Sequence, residues 1–467
     1  MLLVRPATAW ADPELVKVGH TRQMRGAWVA SVANINFPSQ SGLPRETQQQ
    51  ELLRILDCLQ EARFNAIFFQ VRPEGDALYK SPLEPWSRFL GGMPGADPGY
   101  DPLEFLVEAA HARNIEVHAW LNPYRARGLP QTGYPQAALH LGVEQPDHVF
   151  RYRPYEWMDP AAPGVRARLL DVCRDLVTRY PIDGIHFDDY FYPYPDAGQP
   201  FPDGPSWAAY QQSGGRLSQA DWRRDNVNQA IQAVGQVVHE AREDVRFGVS
   251  PFGLPAPQRP AGILGFDQYE KLYADTQLWM DRGWIDYLAP QLYWSTVQKP
   301  QAFQPLLEWW SSHRGGCDIF AGVNLSALGS KAEWALAEYR QQFGLVKNCA
   351  GFICWNVSPL VENRQKVRQE FFREILPRPA LTPVLARMSQ TQVAAPRVER
   401  EGSTLRLSSS ECSLRAWTMY QDSGRGWELR RILPAQQTEV ELGQGRWAVA
   451  AVGTSGVESL ARVVEIP

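Results

Sequence analysis

The chain has 467 residues, of which 44% are hydrophobic and 21% charged, as is typical of a folded globular protein with two or three domains. The formal net charge is −4, and the sequence has no cluster of Lys and Arg that could follow a phosphate backbone, which argues against a nucleic-acid partner. No apolar run approaches the roughly 18 residues of a membrane-spanning segment. The 17 Trp residues are unusual, because flat indole rings suit the apolar faces of sugars.

The first residues have two interpretations. Ala9-Trp10-Ala11 resembles the end of a signal peptide, but Met1–Val4 is too short for the apolar region that precedes such an end. Residues 1–23 are therefore interpreted as a leader or a residual signal region. A signal peptide upstream would predict export to the periplasm or cell envelope, and without one a cytoplasmic location stays open.

Six cysteines are spread along the chain without the spacing of a metal site. We expect mostly buried thiols and neither a metal nor another cofactor.

From Met24 onward, short apolar segments alternate with amphipathic ones. The predicted strands cover residues 25–32, 65–73, 115–125, 182–187, 245–251, 284–294, 317–324 and 349–358. The predicted helices cover residues 46–63, 101–113, 165–179, 222–242, 269–282, 303–313, 331–343 and 362–375. Eight βα units predict an α/β protein with a (β/α)8 TIM barrel over residues 24–376. An open doubly wound sheet is the alternative, although no GxGxxG or P-loop motif follows the first strand.

Long connections follow four of the predicted strands, namely residues 74–100, 122–162, 190–220 and 252–268. In a barrel these connections lie at the carboxyl ends of the strands, where the active sites of this fold are found. The sequence therefore predicts a site on that face.

The sequence from Pro377 onward differs in character. Pro377, Pro379 and Pro383 predict a stiff linker over residues 377–392. Short alternating segments between polar turns then predict a small β-sandwich of fibronectin type III kind over residues 393–467. We expect an accessory domain that serves packing or contact with the cell wall.

The fourth predicted strand ends in two acids, within the sequence YPIDGIHFDDYFYPYP (180–195). Ile182, Ile185 and Phe187 suit a buried strand, which runs directly into Asp188 and Asp189. The aromatic and proline residues that follow must turn outward as a loop. Adjacent acids beside exposed rings predict a sugar site, although a surface pair of carboxylates is the alternative.

Other polar and aromatic residues stand near the predicted strand ends and are candidates for substrate binding. They are Asn36, Gln70, Arg72, His118, Trp120, Asn122, His186, Tyr190, Gln291, Tyr293, Trp294, Asn324, Trp355 and Asn356. Amides, rings and carboxylates without a Ser or Cys nucleophile indicate glycan recognition. Two residues have structural alternatives: His118 as a hydrogen-bonded core residue, and Arg72 as an ion-pair partner of the two acids.

Several segments resemble the bacterial glycosyl hydrolase-like 10 family. The resemblance covers residues 24–375 and is carried by RGAWVASVANINFP (25–38), DGIHFDDYFYP (183–193) and GFICWN (351–356), among others. It implies a (β/α)8 hydrolase. One branch of the family acts on peptidoglycan glycan strands stripped of their stem peptides, which implies that substrate here by analogy.

Strand four also resembles the chitinase signature DGxDxDxE, but His186 and Tyr190 replace the middle Asp and the catalytic Glu. The acid pair is more similar to that of O-GlcNAc hydrolases, where the 2-acetamido oxygen of the substrate is the nucleophile. That resemblance implies Asp188 as the orienting carboxylate and Asp189 as general acid/base. Gln291 and Tyr293 would support the acetamido group.

Three alternatives remain open. Asp188 could be a covalent nucleophile, with Glu74, Asp275 or Glu270 as an acid about 5 to 5.5 Å away. The chain could be a glycan-binding protein without turnover. A metal-dependent deacetylase is the third alternative, although His118 and His186 lack a recognisable ligand spacing.

Overall fold

The computed structural model describes residues 14–128, 134–196, 198–331, 334–347 and 349–467. These residues form two compact units, one of residues 23–377 and one that combines residues 14–22 with residues 378–467.

The larger unit contains a closed barrel of eight parallel strands. They are β1 (Met24–Val29), β2 (Ala66–Arg72), β3 (Glu116–Leu121), β4 (Gly184–Phe187), β5 (Arg246–Val249), β6 (Tyr287–Leu288), β7 (Asp318–Val323) and β8 (Gly351–Cys354). Each strand pairs with the next in the sequence, and β8 pairs with β1. This closure confirms the predicted TIM barrel and rules out the open sheet.

Helices connect the barrel strands. They are α1 (Arg45–Glu61), α2 (Pro102–His111), α3 (Pro163–Arg179), α4 (Gln219–Ala241), α5 (Thr276–Asp281), α6 (Phe303–Ser312), α7 (Leu336–Val346) and α8 (Phe372–Ile375). The start of α2 follows from its sequence, because the Asp101 side chain accepts hydrogen bonds from two main-chain N–H groups and Pro102 occupies the first helical position.

Three predicted elements are shorter or more broken than expected. The strand over 284–294 is only Tyr287–Leu288, since Pro290 lacks the N–H that a longer ladder needs. The helix over 269–282 divides into Gln268–Lys271 and α5, with Tyr273 at a φ of 57° between them. The helix over 362–375 is likewise interrupted, because Asn363, Gln365 and Lys366 have positive φ.

The barrel buries two layers of side chains. Apolar residues such as Leu56, Leu106 and Val234 pack between the strands and the helices. A smaller core inside the barrel contains Trp28, Phe68, Trp120, Tyr287 and Phe320. Parallel strands covered on both faces explain why the strand sequences are almost continuously apolar.

The smaller unit consists of two antiparallel sheets. The five-stranded sheet contains Leu15–Val16, Leu414–Asp422, Trp427–Pro434, Gly445–Gly453 and Ala461–Ile466, and the three-stranded sheet contains Arg397–Glu401, Thr404–Ser408 and Glu439–Glu441. Leu405, Trp417 and Trp447 belong to one core that is built from both sheets.

The predicted leader and linker both have described residues in the smaller unit. Residues 1–13 of the leader lie outside the described residues, whereas Leu15–Val16 pairs with the strand Ala461–Ile466. Within the predicted linker, Leu381 and Leu385 are buried.

All six cysteines are free thiols, and four of them are buried. Among the described residues, no helix has both the length and the apolarity that crossing a bilayer requires.

Candidate active site

Asp188 and Asp189, here called the acid pair, directly follow β4 at the carboxyl end of the barrel. Both are almost fully buried, with 3% and 2% of their surface exposed. Trp120 Nε1 donates a hydrogen bond of 3.1 Å to Asp188 Oδ2, and Asn122 Nδ2 donates one of 3.2 Å to the same oxygen. Asp188 Oδ1 is also buried and accepts no hydrogen bond from the described residues, although the main-chain N–H of Tyr190 lies close enough to the carboxylate to lower its pKa. One oxygen of Asp188 is therefore saturated, while the other lacks a partner.

Asp189 is held by residues from two loops. The Tyr194 hydroxyl donates a hydrogen bond to Asp189 Oδ2. The Gln291 side-chain amide donates to the carbonyl oxygen of Ser250 at 3.1 Å and lies close enough to Asp189 to lower its pKa. The charge of Asp189 contributes, after burial, to a raised pKa of Tyr293, which locates that phenol in the same neighbourhood. The two acids thus have different sets of partners.

Burial sets the protonation of the acid pair. It raises the pKa of Asp188 to about 7, with a further contribution from the charge of Asp189 and an opposing one from Arg125. It raises the pKa of Asp189 to about 6, opposed by the hydrogen bond from Tyr194, by the nearby Gln291 amide and by the charge of Arg125. Near neutral pH the pair can therefore hold one proton, as general acid catalysis requires.

Five partly exposed rings lie beside the acid pair and form what we call the aromatic wall. Its members are Tyr190, Tyr194, Phe252, Phe266 and Trp294. Successive ring centroids are close: 5.8 Å from Tyr190 to Tyr194, 5.2 Å on to Phe266, 4.9 Å on to Phe252 and 5.8 Å on to Trp294. Such a row offers apolar faces on which sugar rings can stack.

The carboxyl end of β8 supplies further side chains near Trp120. The ring of Trp355 lies 6.1 Å from that of Trp120 and is partly exposed. Asn356 is buried and accepts a hydrogen bond from the main chain of Ser358, whose hydroxyl in turn accepts one from Asn36. The two asparagines thus support the loop, and Trp355 is the ring that faces outward.

Comparison with known proteins identifies the family. Residues 23–333 match the family model described as Glycosyl hydrolase-like 10. The chain belongs to the glycosyl hydrolase-like 10 family. The chain is 35% identical over 406 residues to glycosyl hydrolase YngK of Bacillus subtilis (strain 168), which covers 83% of this chain and 78% of that protein.

A second relative of this glycosyl hydrolase-like 10 protein is glycosyl hydrolase DigH of Escherichia coli (strain K12). The two are 35% identical over 325 residues, or 65% of this chain and 73% of DigH. The catalytic domain of β-amylase from Paenibacillus polymyxa is 12% identical and superposes with a TM-score of 0.51, over 76% of this chain and 100% of that domain. That likeness shows the shared fold. Together the family and its relatives confirm the prediction of a glycoside hydrolase with a carbohydrate substrate.

Four of the predicted substrate-binding residues lie beneath the site of this family member. Gln70, Arg72, His118 and His186 have no exposed surface. Gln70, His118 and His186 face the filled interior of the barrel, whereas Arg72 follows a register shift in β2 and lies among loop residues. His186 accepts a hydrogen bond from Trp28 Nε1 and contacts the Tyr287 hydroxyl at 2.9 Å, and burial lowers its pKa well below the usual range. A neutral, fully bonded imidazole is a core residue, which corrects the prediction for His186.

His118 and Gln70 are core residues for similar reasons. The His118 ring contacts Glu116 and the Tyr287 hydroxyl, each at 3.1 Å, as its structural alternative proposed. Gln70 Oε1 accepts hydrogen bonds from the main chain of Ser31 and Val32. Both side chains therefore stabilise the barrel interior and its first loop.

Arg72 supports the loop that carries the site. It forms an ion pair with the buried Glu84, with Nη2 2.5 Å from Oε1, and donates to the carbonyl oxygens of Asn122 and Pro123. The predicted ion pair with Asp188 or Asp189 is thus wrong, because Glu84 neutralises this guanidinium instead. Asn324 also has a local role, since its Oδ1 accepts a hydrogen bond from the Ser326 hydroxyl.

The acids proposed as partners of a nucleophilic Asp188 have other contacts or lie on the surface. Glu74 accepts from the main chain of Gly128 at 2.7 Å and lies 3.4 Å from Arg88. Asp275 caps the start of α5, and Glu270 is half exposed on the short helix Gln268–Lys271. Within the part of the chain that the structure describes, no group of three or more His, Cys, Asp and Glu side chains is arranged to hold a metal ion.

Four residues of the site were missed by the sequence analysis: Arg125, Tyr194, Phe252 and Phe266. Tyr194 stood in the aromatic run after the acid pair, so its position was a usable signal. Arg125, Phe252 and Phe266 come from loops after β3 and β5, and no periodicity shows where loop side chains point.

Proposed function

We propose that this glycoside hydrolase cleaves a polysaccharide that contains GlcNAc, namely the glycan strands of peptidoglycan, by substrate-assisted catalysis at the acid pair. The observation that carries the proposal is the unequal environment of Asp188. Its Oδ2 already accepts two hydrogen bonds, whereas its buried Oδ1 has no donor. A buried acceptor without a donor is costly, and the N–H of a 2-acetamido group would satisfy it.

The reaction then follows from the two carboxyl groups. Asp188 accepts the acetamido N–H and orients the group, so that its carbonyl oxygen attacks the anomeric carbon and forms an oxazoline ring. The glycosidic C–O bond breaks as Asp189 gives its proton to the leaving oxygen. Water next attacks the anomeric carbon and returns a proton to Asp189, and the ring opens to restore the acetamido group.

The assignment of Asp189 as the general acid requires that bound substrate reverse the order of the two pKa values. In the free protein the pKa of Asp188 is about 7 and that of Asp189 about 6, so a single proton favours Asp188. A hydrogen bond to a charged group contributes about 1.5 to 3 kcal/mol, and one unit of pKa corresponds to about 1.4 kcal/mol. One N–H donated to Asp188 is therefore enough to move the proton to Asp189.

The aromatic wall and the choice of substrate are consistent with each other. Every sugar of a peptidoglycan strand carries a 2-acetamido group, so each unit presents both an apolar ring face and the N–H that Asp188 lacks. Tyr190 and Tyr194 extend from the acid pair toward Phe252 and Trp294. This row supports a substrate of several linked sugars rather than a single one.

Separate replacement of the two acids tests the proposal. We expect Asp188→Asn and Asp189→Asn each to lower the rate of release of reducing ends from peptide-free peptidoglycan strands by at least about 100-fold, as for other catalytic acids. Glu270→Gln is the matched control, since that carboxylate is half exposed and outside the site. Full activity in both acid variants would remove the proposal.

We also propose that the protein acts outside the cytoplasm, since its proposed substrate lies in the cell envelope. Fractionation of cells that produce the natural full-length protein tests this, and recovery in the cytoplasmic fraction alone would refute it.

A further inference from the structure

Arg125 lies beside the acid pair and yet does not form an ion pair with it. The residue begins the short strand Arg125–Arg127 after β3 and is 8% exposed. Its positive charge acts on Asp188, Asp189 and Glu74, which locates the guanidinium among these three carboxyl groups. None of the described carboxylates comes within 4.0 Å of its side-chain nitrogens.

Three contacts fix Arg125 in this position. Its main-chain N–H donates to Asn122 Oδ1 at 2.9 Å, and its Nε donates to the carbonyl oxygen of Pro73 at 3.1 Å. The guanidinium carbon lies 5.2 Å from the centre of the Tyr190 ring, as in a cation–π contact. These contacts occupy Nε and one face of the guanidinium, and no described residue accepts a hydrogen bond from Nη1 or Nη2.

The neighbouring arginines differ from Arg125. Arg72 is paired with Glu84, and Arg127 lies 3.0 Å from Glu156. A buried guanidinium normally gains such a partner, because an uncompensated buried charge is costly. Arg125 is held by Asn122 and Pro73 short of the nearest acids, so its two Nη groups remain available to a molecule that enters the site.

The chemistry of these two nitrogens indicates the group that they would bind. The Nη groups of arginine lie in a plane and match the two oxygens of a carboxylate. A carboxylate would also neutralise the positive charge of Arg125, which a neutral hydroxyl would not do. The proximity of Asp188 and Asp189 places this carboxylate on a sugar next to the bond that is cleaved.

We propose that Arg125 is a specificity-determining residue that binds a carboxylate carried by a sugar beside the cleaved bond. The inference rests on the proposed function and adds the residue that recognises the acidic group of this substrate. In a peptide-free peptidoglycan strand this carboxylate ends the lactyl ether of every second sugar. A strand of GlcNAc alone has no such group.

The test varies the enzyme and the substrate together. The two substrates are peptide-free peptidoglycan strands and the same strands with the lactyl carboxylates reduced to alcohols. For the wild-type protein we expect the reduction to lower kcat/KM by about 10- to 100-fold, as for loss of one charged hydrogen-bonded contact. Arg125→Gln should lower kcat/KM more on the carboxylate strands than on the reduced strands, so that the ratio of the two kcat/KM values falls to near 1. The loss that it shows on the reduced strands measures the effect of its charge on the acid pair.

Two further variants make the result specific. Arg127→Gln removes a charge from the same short strand that is already paired with Glu156, and it should respond to both substrates as the wild type does. Arg125→Lys keeps the charge but not the planar pair of donors, and it should recover part of the preference for carboxylate strands. Near-equal circular dichroism and melting temperatures would show that each variant is folded.

The remaining outcomes separate the two proposals. An equal loss by Arg125→Gln on both strands would overturn the specificity role, since Arg125 would then act only on the acid pair. Cleavage of neither strand by the wild-type protein would remove the proposed function. In that case the affinity of the protein for both strands, measured by calorimetry, tests the role of Arg125. Tighter binding of the carboxylate strands by the wild type, with loss of this preference in Arg125→Gln, supports the inference. Equal binding of the two strands by the wild type refutes it.

Discussion

Replacement of Trp120 by phenylalanine should change the pH dependence of the enzyme in a predictable direction. The indole Nε1 donates 3.1 Å to Asp188 Oδ2 and thereby stabilises the ionised form of that acid. Loss of a hydrogen bond to a charged group costs about 1.5 to 3 kcal/mol, which corresponds to a rise of about 1 to 2 in the pKa of Asp188. Because the two acids titrate as a pair, the bell-shaped profile of kcat/KM should have limbs near 6 and 7 in the wild type.

The expected result for Trp120→Phe follows from this rise in the pKa of Asp188. The alkaline limb moves upward by about 1 to 2 pH units, while kcat/KM at the optimum falls about 10- to 100-fold, since ionised Asp188 is harder to form. Trp355→Phe is the matched control, because its ring neighbours that of Trp120 without a hydrogen bond to either acid. We expect no movement of the limb in that variant. An unchanged profile in Trp120→Phe, or a limb that moves toward acid, would refute the reasoning.

Three further predictions follow from the same structure. Tyr194→Phe removes the hydroxyl that lowers the pKa of the second acid, so the acidic limb of the profile should rise from near 6 toward neutral, and an unmoved limb would speak against that hydrogen bond. Glu84→Gln leaves the buried Arg72 without its partner and should lower the free energy of unfolding by about 3 to 5 kcal/mol in urea titrations, whereas Glu362→Gln at an exposed pair should change it by less than about 1 kcal/mol. Asp188→Asn should raise the free energy of unfolding by about 4 kcal/mol at pH 8 and by little at pH 4. Burial raises the pKa of this acid from 3.8 to about 7, so the wild-type protein loses stability as pH rises between those values. Equal effects at both pH values would contradict this.

The fold was largely predictable from the sequence, because alternating apolar segments recur eight times in the order that a barrel requires. The missing detail concerns irregular backbone. β6 contains two residues rather than eleven, and the chain around Tyr273 breaks a helix that side-chain periodicity alone would continue. Periodicity records which residues are apolar, and it does not record where the main chain leaves the regular φ and ψ regions.

The candidate site was only partly predictable, for a different reason. Spacing of two along a strand places His186 and Asp188 on the same side of β4, but it does not give their depth along the barrel axis. His186 therefore lies in the filled interior, whereas Asp188 lies at the open end with Trp120 and Asn122. Arg125 was missed because its position depends on a loop.

In the proposed mechanism the substrate's own acetamido oxygen attacks the anomeric carbon, while Asp188 orients it and Asp189 supplies the proton. The most direct measurement is the rate of cleavage of GlcNAc-containing strands whose N-acetyl groups are replaced by N-trifluoroacetyl groups, which are of similar size but far weaker nucleophiles. We expect a decrease of at least about 100-fold in kcat, since the weakened oxygen attacks in the rate-determining step. Equal kcat values for the two strands would contradict it.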